Sequence, residues 1–193
     1  MTKIRPNAKE FLQRMSHLFE LHICTMGRRK YAKKMAQLLD EDGLLFGNRI
    51  HSADDLAKDR RKLKVGHLAD LFPCGDHMVV ILDDREDVWN SPSNLIPVKP
   101  YHFFPSNSNN HAIVRGSDTD DHLLHAETLL RKTHQAYFNA YETFLKGESV
   151  AFPDTKPIVA KIIRQDLTRQ LRHYLGLQPN DNHNCRLIPS KCS

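Results

Sequence analysis

The first hundred residues carry two alternating apolar patterns. Apolar side chains recur at three- and four-residue intervals over 7–19 and 28–39, and this spacing predicts two helices. A third, short helix is predicted over 68–72. Short continuous apolar runs, which are typical of strands buried on both faces, lie at 21–25, 44–46, 78–82 and 95–98. Because helices and strands alternate, the pattern predicts an α/β fold with a parallel sheet flanked by helices.

The pattern changes after residue 104. Residues 105–110 are rich in Pro, Ser and Asn, which indicates a linker, and acids at 117–121 can cap a helix start. Apolar residues then recur every seventh position and predict one long helix ending near residue 145, and a basic helix is predicted over 157–175. We interpret the heptad stripe as packing onto the earlier part of the chain, because a few heptads are weak evidence for a coiled coil.

These boundaries predict four parts. An α/β domain spans 1–105, a linker spans 106–121, a helical extension spans 122–175, and a disordered tail spans 176–193. The tail contains His183, Cys185 and Cys192, whose spacing does not match a structural zinc site.

Composition narrows the possible classes of protein. Of 193 residues, 40% are hydrophobic and 26% charged, which are ordinary values for a globular protein. No apolar run approaches the ~18 residues that span a bilayer, so we expect no membrane partner. The four cysteines show no disulfide framework, which favours a reducing compartment. The net charge of +5 and the basic runs at 58–64 and 161–173 permit nucleic-acid binding, but no base-reading motif accompanies them, so we do not expect it.

The candidate chemistry centres on Asp83 and Asp84. They directly follow the apolar run that ends at Leu82, and ligands of open α/β sheets bind beyond the carboxyl ends of strands. Two adjacent carboxylates repel one another and need a cation, and Mg²⁺ commonly takes one or two carboxylates together with phosphate oxygens and water. The alternative is that the pair caps a turn while Arg85 balances its charge.

Two further residues fit a phosphate site. Thr25 ends the 21–25 strand and Gly27 precedes a helix, so a hydroxyl and helix-start amides can cradle an anion. The plainer alternative for Thr25 is a helix cap. Lys64, in a basic run, can neutralise phosphate, although such runs are usually solvated surface.

These residues lie within segments that resemble the catalytic domain of the RNA polymerase II C-terminal-domain phosphatases, of the TFIIF-associating type and the haloacid dehalogenase superfamily. The resemblance covers about residues 3–105, and 71–89 is its most specific part. The matching segments are 4–6, 22–27, 64–76, 81–89 and 101–104.

The resemblance implies an activity and roles for the candidate residues. It implies a haloacid dehalogenase-like fold and a nuclear protein serine/threonine phosphatase that depends on Mg²⁺ and reacts through an aspartyl-phosphate. Thr25 would bind the phosphoryl group, and Lys64 would neutralise it and fix the nucleophile. Asp84 would be a metal ligand, and Asp83 would order Lys64 or a water on the metal. The substrate would be phosphoserine in the heptad-repeat tail of the polymerase, and TFIIF is a candidate partner.

This chain departs from the family pattern at one motif. The family's nucleophile and general acid lie in an Asp-x-Asp-x-Thr/Val motif at the end of a first strand, which should precede Lys3. We therefore expect the fold to be incomplete at its N-terminal side, without the BRCT domain of the family, and the isolated chain to be inactive and poorly stable. Asp118 and Asp120 form a similar pair, but we interpret them as a capped helix start. The alternative function is a catalytically dead module that binds a phosphopeptide or a transcription partner.

Overall fold

The computed structural model describes residues 3–55, 68, 70–90, 92–101 and 120–177. Lys64, most of the predicted linker with Asp118, and the tail from residue 178 lie outside the described residues, so these predictions are not tested. The described regular elements, in chain order, are α1 Ala8–Ser16, β1 Ile23–Cys24, α2 Arg29–Leu39, β2 Ile50–His51, β3 Ile81–Asp83, β4 Leu95–Pro97, α3 His122–Leu145 and α4 Thr155–Tyr174. There are also two single turns of 3₁₀ helix, at Ala53–Asp55 and Asp87–Trp89.

The described strands pair in parallel, as predicted. β1 pairs with β2, with Ile23 opposite Ile50, and β3 pairs with β4, with Ile81 opposite Leu95. Within the described parts of the chain, the strands form two separate pairs. Each pair presents the carboxyl ends of its strands at one edge, and that geometry positions the residues that follow β1 and β3.

The predicted strand over 44–46 is wrong. The chain forms turns there, and the partner of β1 is Ile50–His51. The cause is the buried carboxylate of Asp40, which accepts hydrogen bonds from the backbone N–H groups of Leu44, Leu45 and Phe46 at 2.9–3.1 Å. A strand needs those donors for its ladder, so their capture by a side chain excludes β pairing.

Two apolar clusters support the fold. The smaller one lies under the candidate site and contains Leu68, Ile81, Val88, Trp89 and Leu95. The larger one joins α1, β4, α3 and α4, and it contains Phe11, Met15, Ile96, Leu123, Leu129, Leu130, Val159 and Ile162. The heptad stripe of α3 therefore packs within the chain, as predicted.

Polar contacts fasten the helical extension to the earlier elements. The carboxylate of Glu127 accepts from both Arg14 on α1 and Arg131 on α3 at 2.8–3.1 Å. Arg5 makes a bidentate pair with Asp120, whose carboxylate also accepts from the N–H of His122, the first residue of α3. The N-cap residue itself, Asp121, makes no side-chain cap hydrogen bond. None of the described helices is both long and apolar enough to cross a bilayer.

Candidate phosphate and metal site

Asp83 is the last residue of β3, and both of its carboxylate oxygens are engaged. Oδ1 accepts from the Arg85 N–H at 3.1 Å, and Oδ2 accepts from the indole Nε1–H of Trp89 at 2.8 Å. Trp89 belongs to the smaller apolar cluster and is only 5% exposed, so the donor has a fixed position. The Asp83 carboxylate is therefore held in one orientation at the end of the strand.

Asp84 has a different environment. It is exposed, and within the described residues its carboxylate has no hydrogen-bond partner. Arg85 does not bridge the adjacent acids, because its guanidinium pairs with Asp87 at 2.5 and 3.1 Å. That hydrogen bond lowers the pKa of Asp87 and raises the pKa of Arg85. Asp84 thus presents its charge to solvent, without a hydrogen-bonded counterion among the described residues.

Thr25 follows β1 and extends its ladder, because its N–H donates to the His51 carbonyl at 2.9 Å. Its Oγ1 accepts from the Gly27 N–H at 3.0 Å. A hydroxyl that accepts one hydrogen bond still has its own proton to donate, and an anion is a suitable acceptor. A Cβ at Gly27 would lie 2.7 Å from the ring of Tyr31, so a larger residue there would require that exposed ring to shift.

The start of α2 is partly occupied by protein groups. The N–H of Arg29 donates to the Asp54 carboxylate at 2.8 Å, and the Arg29 guanidinium pairs with Asp55. Two of the amides near this turn, those of Gly27 and Arg29, are therefore engaged within the chain. An anion at this turn would depend on the Thr25 hydroxyl more than on the helix-start amides.

The β1 and β3 regions meet on the smaller apolar cluster. Cys24, the residue before Thr25, packs against this cluster, which also contains Ile81 of β3 and Trp89. The shared packing brings the β1 end that carries Thr25 and the β3 end that carries Asp83 onto one supporting core. Lys64, the third sequence-predicted site residue, lies outside the described residues.

A stacked histidine pair beside Thr25 was missed by the sequence analysis. The rings of His22 and His51 are nearly parallel, with centroids 5.6 Å apart, and Nδ1 of His22 lies 3.4 Å from Nε2 of His51. The Glu20 carboxylate is 2.9 Å from Nε2 of His22, and this hydrogen bond lowers the pKa of Glu20. The pair arises from the β1–β2 register, and no local sequence signal connects residues 29 positions apart.

The residues present fit a Mg²⁺ ion that has few protein ligands. No group of three or more His, Cys, Asp or Glu side chains suited to a metal occurs in the described parts of the chain. Mg²⁺ does not need such a cage, because it commonly uses one or two carboxylates and completes its shell with water and phosphate. Asp84, exposed and without a described hydrogen-bond partner, has the required chemistry.

Comparisons with known proteins identify the family of this chain. The family model described as NLI interacting factor-like phosphatase matches residues 1–140. An RNA polymerase II C-terminal domain phosphatase of Caenorhabditis elegans is 40% identical over 169 residues, a match that covers 82% of this chain and 25% of the relative. The human protein of the same name is 48% identical over 103 residues, covering 53% of this chain and 10% of the relative.

Solved structures show the same fold. The structure of Fcp1, an essential RNA polymerase II CTD phosphatase, superposes with a TM-score of 0.71 at 29% identity, covering 82% of this chain and 54% of that one. The fission yeast Fcp1 variant bound to beryllium fluoride also gives 0.71, at 31% identity and the same coverage. The predicted haloacid dehalogenase-like α/β fold is thereby confirmed. The chain spans a quarter or less of the length of the two curated relatives named above.

Proposed function

Since this chain belongs to the family of NLI interacting factor-like phosphatases, we propose that it supplies the phosphate- and metal-binding part of a nuclear protein serine/threonine phosphatase. Its substrate is phosphoserine in the C-terminal tail of RNA polymerase II, the domain that the names of its relatives contain. TFIIF is a candidate partner on the family resemblance alone. The observation that best supports this proposal is the contrast between Asp83, whose carboxylate is held by Trp89, and the adjacent Asp84, which is exposed.

Each side chain has a proposed role in this site. The Thr25 hydroxyl donates a hydrogen bond to a phosphoryl oxygen, and Lys64 neutralises the charge of the phosphate. Asp84 binds Mg²⁺, and Asp83 orders Lys64 or a water on the metal. When bound, Mg²⁺ offsets negative charge on the phosphoryl oxygens. The reaction class is hydrolysis through an aspartyl-phosphate.

The aspartate that forms this intermediate is proposed to lie outside these 193 residues, which contain no Asp-x-Asp-x-Thr/Val. The described strands form two separate parallel pairs, and this supports a further strand that would join them into one sheet. Such a strand would carry its last residues towards the ends of β1 and β3.

Supplying that strand tests the proposal. The chain is assayed with an aryl phosphate and Mg²⁺, alone and with an added N-terminal apolar strand that ends in Asp-x-Asp-x-Thr. We expect no turnover alone, and turnover with the strand that Asp84→Asn abolishes. Asp42→Asn, at another exposed acid, is the matched control and should retain activity. Turnover by the unextended chain, or a folded extended chain without turnover, contradicts the proposal.

The absence of the motif from the sequence favours a second candidate, a phosphopeptide-binding module without catalysis. It predicts that the unextended chain binds a phosphoserine peptide, and that Thr25→Ala or Lys64→Ala weakens this binding. Calorimetric titration with phosphorylated and unphosphorylated versions of one peptide measures it. Equal affinity for both versions eliminates this candidate.

A further inference from the structure

The C-terminal half of α4 carries an apolar surface that no described part of the chain covers. Leu167, Leu171, Tyr174 and Leu175 are 54%, 61%, 86% and 64% exposed, and we call them the α4 apolar strip. They recur at intervals of four, seven and eight residues, so they share one face of the helix. The adjoining face of α4 is buried through Val159, Ile162 and Asp166.

The side chains of the strip leave a shallow, open groove on α4 itself. This groove of about 470 Å³ is lined by residues of that helix alone: Leu167, Gln170, Leu171, His173 and Tyr174. Side chains of a second helix pack into grooves of this kind between ridges spaced by three or four residues. The apolar side chains of a second helix would lie between these residues.

The charge beside the strip indicates which helix it would receive. Lys161, Arg164 and Arg172 lie along one edge of the strip by helical position, are exposed, and form no ion pair with described residues. The single acid of α4 is Asp166, which is buried and engaged by His125, Arg169 and Gln170. The strip consequently has a basic edge without a neutralising acid on its own helix.

We propose that the α4 apolar strip docks an acidic amphipathic helix of a protein partner. The partner helix has leucine-like residues at i, i+3 or i+4, and i+7, which enter the groove, and Asp or Glu residues that meet the basic edge. This surface is separate from the proposed phosphatase site and does not depend on its activity.

Charge and shape favour an acidic helix over a second copy of the chain, a nucleic acid or a membrane as the partner of the strip. A second copy of the chain would bring the same basic edge against Arg164 and Arg172, and like charges in contact are repulsive. A nucleic acid would satisfy the basic edge and leave the apolar strip in water. The strip is narrow because α4 packs on α3 through its other face, whereas a membrane-bound helix commonly inserts a broad apolar face.

The test uses the full chain and a fluorescent acidic peptide of about 20 residues, with leucines at i, i+3, i+4 and i+7 and glutamates on its polar face. We expect saturable binding that Leu171→Gln weakens at least about 10-fold, as for a central interface residue. Arg164→Gln and a change from about 0.05 to 0.5 M NaCl should each weaken it about threefold, because both reduce the charge attraction. Leu38→Gln, at an exposed leucine on α2, is the control and should leave affinity unchanged. Circular dichroism verifies that each variant is folded.

Several results would overturn the proposal. A scrambled acidic peptide or a lysine-substituted amphipathic peptide that binds equally well shows that pattern and charge do not matter. Absence of binding at millimolar concentrations of the acidic peptide would exclude an acidic helix as the partner of the strip. Binding to phosphatidylserine vesicles or to an oligonucleotide that Leu171→Gln abolishes, without peptide binding, assigns the strip to a membrane or a nucleic acid. Dimerisation in sedimentation experiments that Leu171→Gln abolishes assigns it to a second copy.

Discussion

Two adjacent aspartates have different surroundings at the end of β3. Asp83 is held by a buried indole and by a backbone N–H, whereas Asp84 is exposed and has no described hydrogen-bond partner. A carboxylate with its orientation fixed keeps the neighbouring backbone in place and leaves the second carboxylate available to a cation. The difference between them comes from Trp89, six residues further along the chain from Asp83.

A double-mutant cycle measures the contact between Trp89 and Asp83. Trp89→Phe keeps most of the apolar ring and removes the N–H donor, so its cost should largely disappear when Asp83→Ala has already removed the acceptor. We expect a coupling free energy of about 1.5–3 kcal/mol, the range for a hydrogen bond to a charged group, from urea unfolding of the four proteins.

The matched control for this cycle is Asp84→Ala, whose carboxylate is adjacent in sequence but not bonded to Trp89. Its coupling to Trp89→Phe should stay within about 0.5 kcal/mol, the additive range. Similar couplings for both aspartates would mean that the indole does not specifically orient Asp83.

The residues of the site differ in how far sequence alone predicts them. Asp83, Asp84 and Thr25 stand at the ends of apolar runs, so strand periodicity is enough to nominate them. Trp89 contacts Asp83 only because the chain turns through Asp87–Trp89, and no periodic pattern encodes that turn. His51 meets His22 only through pairing of two-residue strands, which the sequence does not reveal.

At the scale of elements, local hydrogen bonding overrides apolar periodicity in one segment. Leu44 and Phe46 belong to an apolar run, yet the Asp40 carboxylate captures their N–H groups and fixes a turn. The helices are predicted well because their apolar faces repeat over many residues. Their ends differ from the predicted ones by a few residues; α4, for example, begins at Thr155, where Asp154 accepts from the Lys156 N–H at 2.8 Å.

The ion pair that joins α3 to α1 predicts a pH-dependent stability. Hydrogen bonds from Arg14 lower the pKa of Glu127 below its ordinary value of 4.5. A carboxyl whose pKa is lower in the folded state stabilises the fold above its unfolded pKa, and that stabilisation is lost as the pH falls through the folded pKa. Glu127→Gln should therefore lower the free energy of unfolding at pH 7 by about 1–2 kcal/mol, modestly because the arginines remain 40% and 48% exposed.

Urea unfolding at pH 7 and at pH 3 measures this effect. The difference between the parent and Glu127→Gln should shrink at pH 3, where protonation weakens the parent's ion pair. Glu142→Gln, at an exposed glutamate of α3 without a described ion pair, should change stability by less than about 0.5 kcal/mol at either pH. A Glu127→Gln effect of equal size at both pH values would exclude an electrostatic origin.

At the scale of the whole molecule, the composition shift after residue 104 does not reveal how the core is shared. The heptad stripe predicts that the extension packs onto the α/β part, and the larger apolar cluster joins them; the stripe does not predict that Met15 of α1, Ile96 of β4 and Val159 of α4 belong to one cluster. Periodicity identifies which face of a helix is apolar but not which other element covers it. Residues that are far apart along the chain form a common core only in the folded structure, so the sequence alone does not show which of them pack together.

Because α1 and α4 share this core, we expect a destabilising substitution in α1 to destabilise α4 as well. Met15 is 1% exposed, so Met15→Ala leaves a cavity and should lower the free energy of unfolding by about 2–5 kcal/mol. Because α1 and α4 contribute to one cluster, hydrogen exchange should accelerate in both helices together. Met78→Ala is the matched control, since this methionine is 59% exposed and its truncation should alter neither stability nor exchange. Faster exchange in α1 with unchanged protection in α4 would show that the helical extension is an independent folding unit and that the common cluster does not couple them.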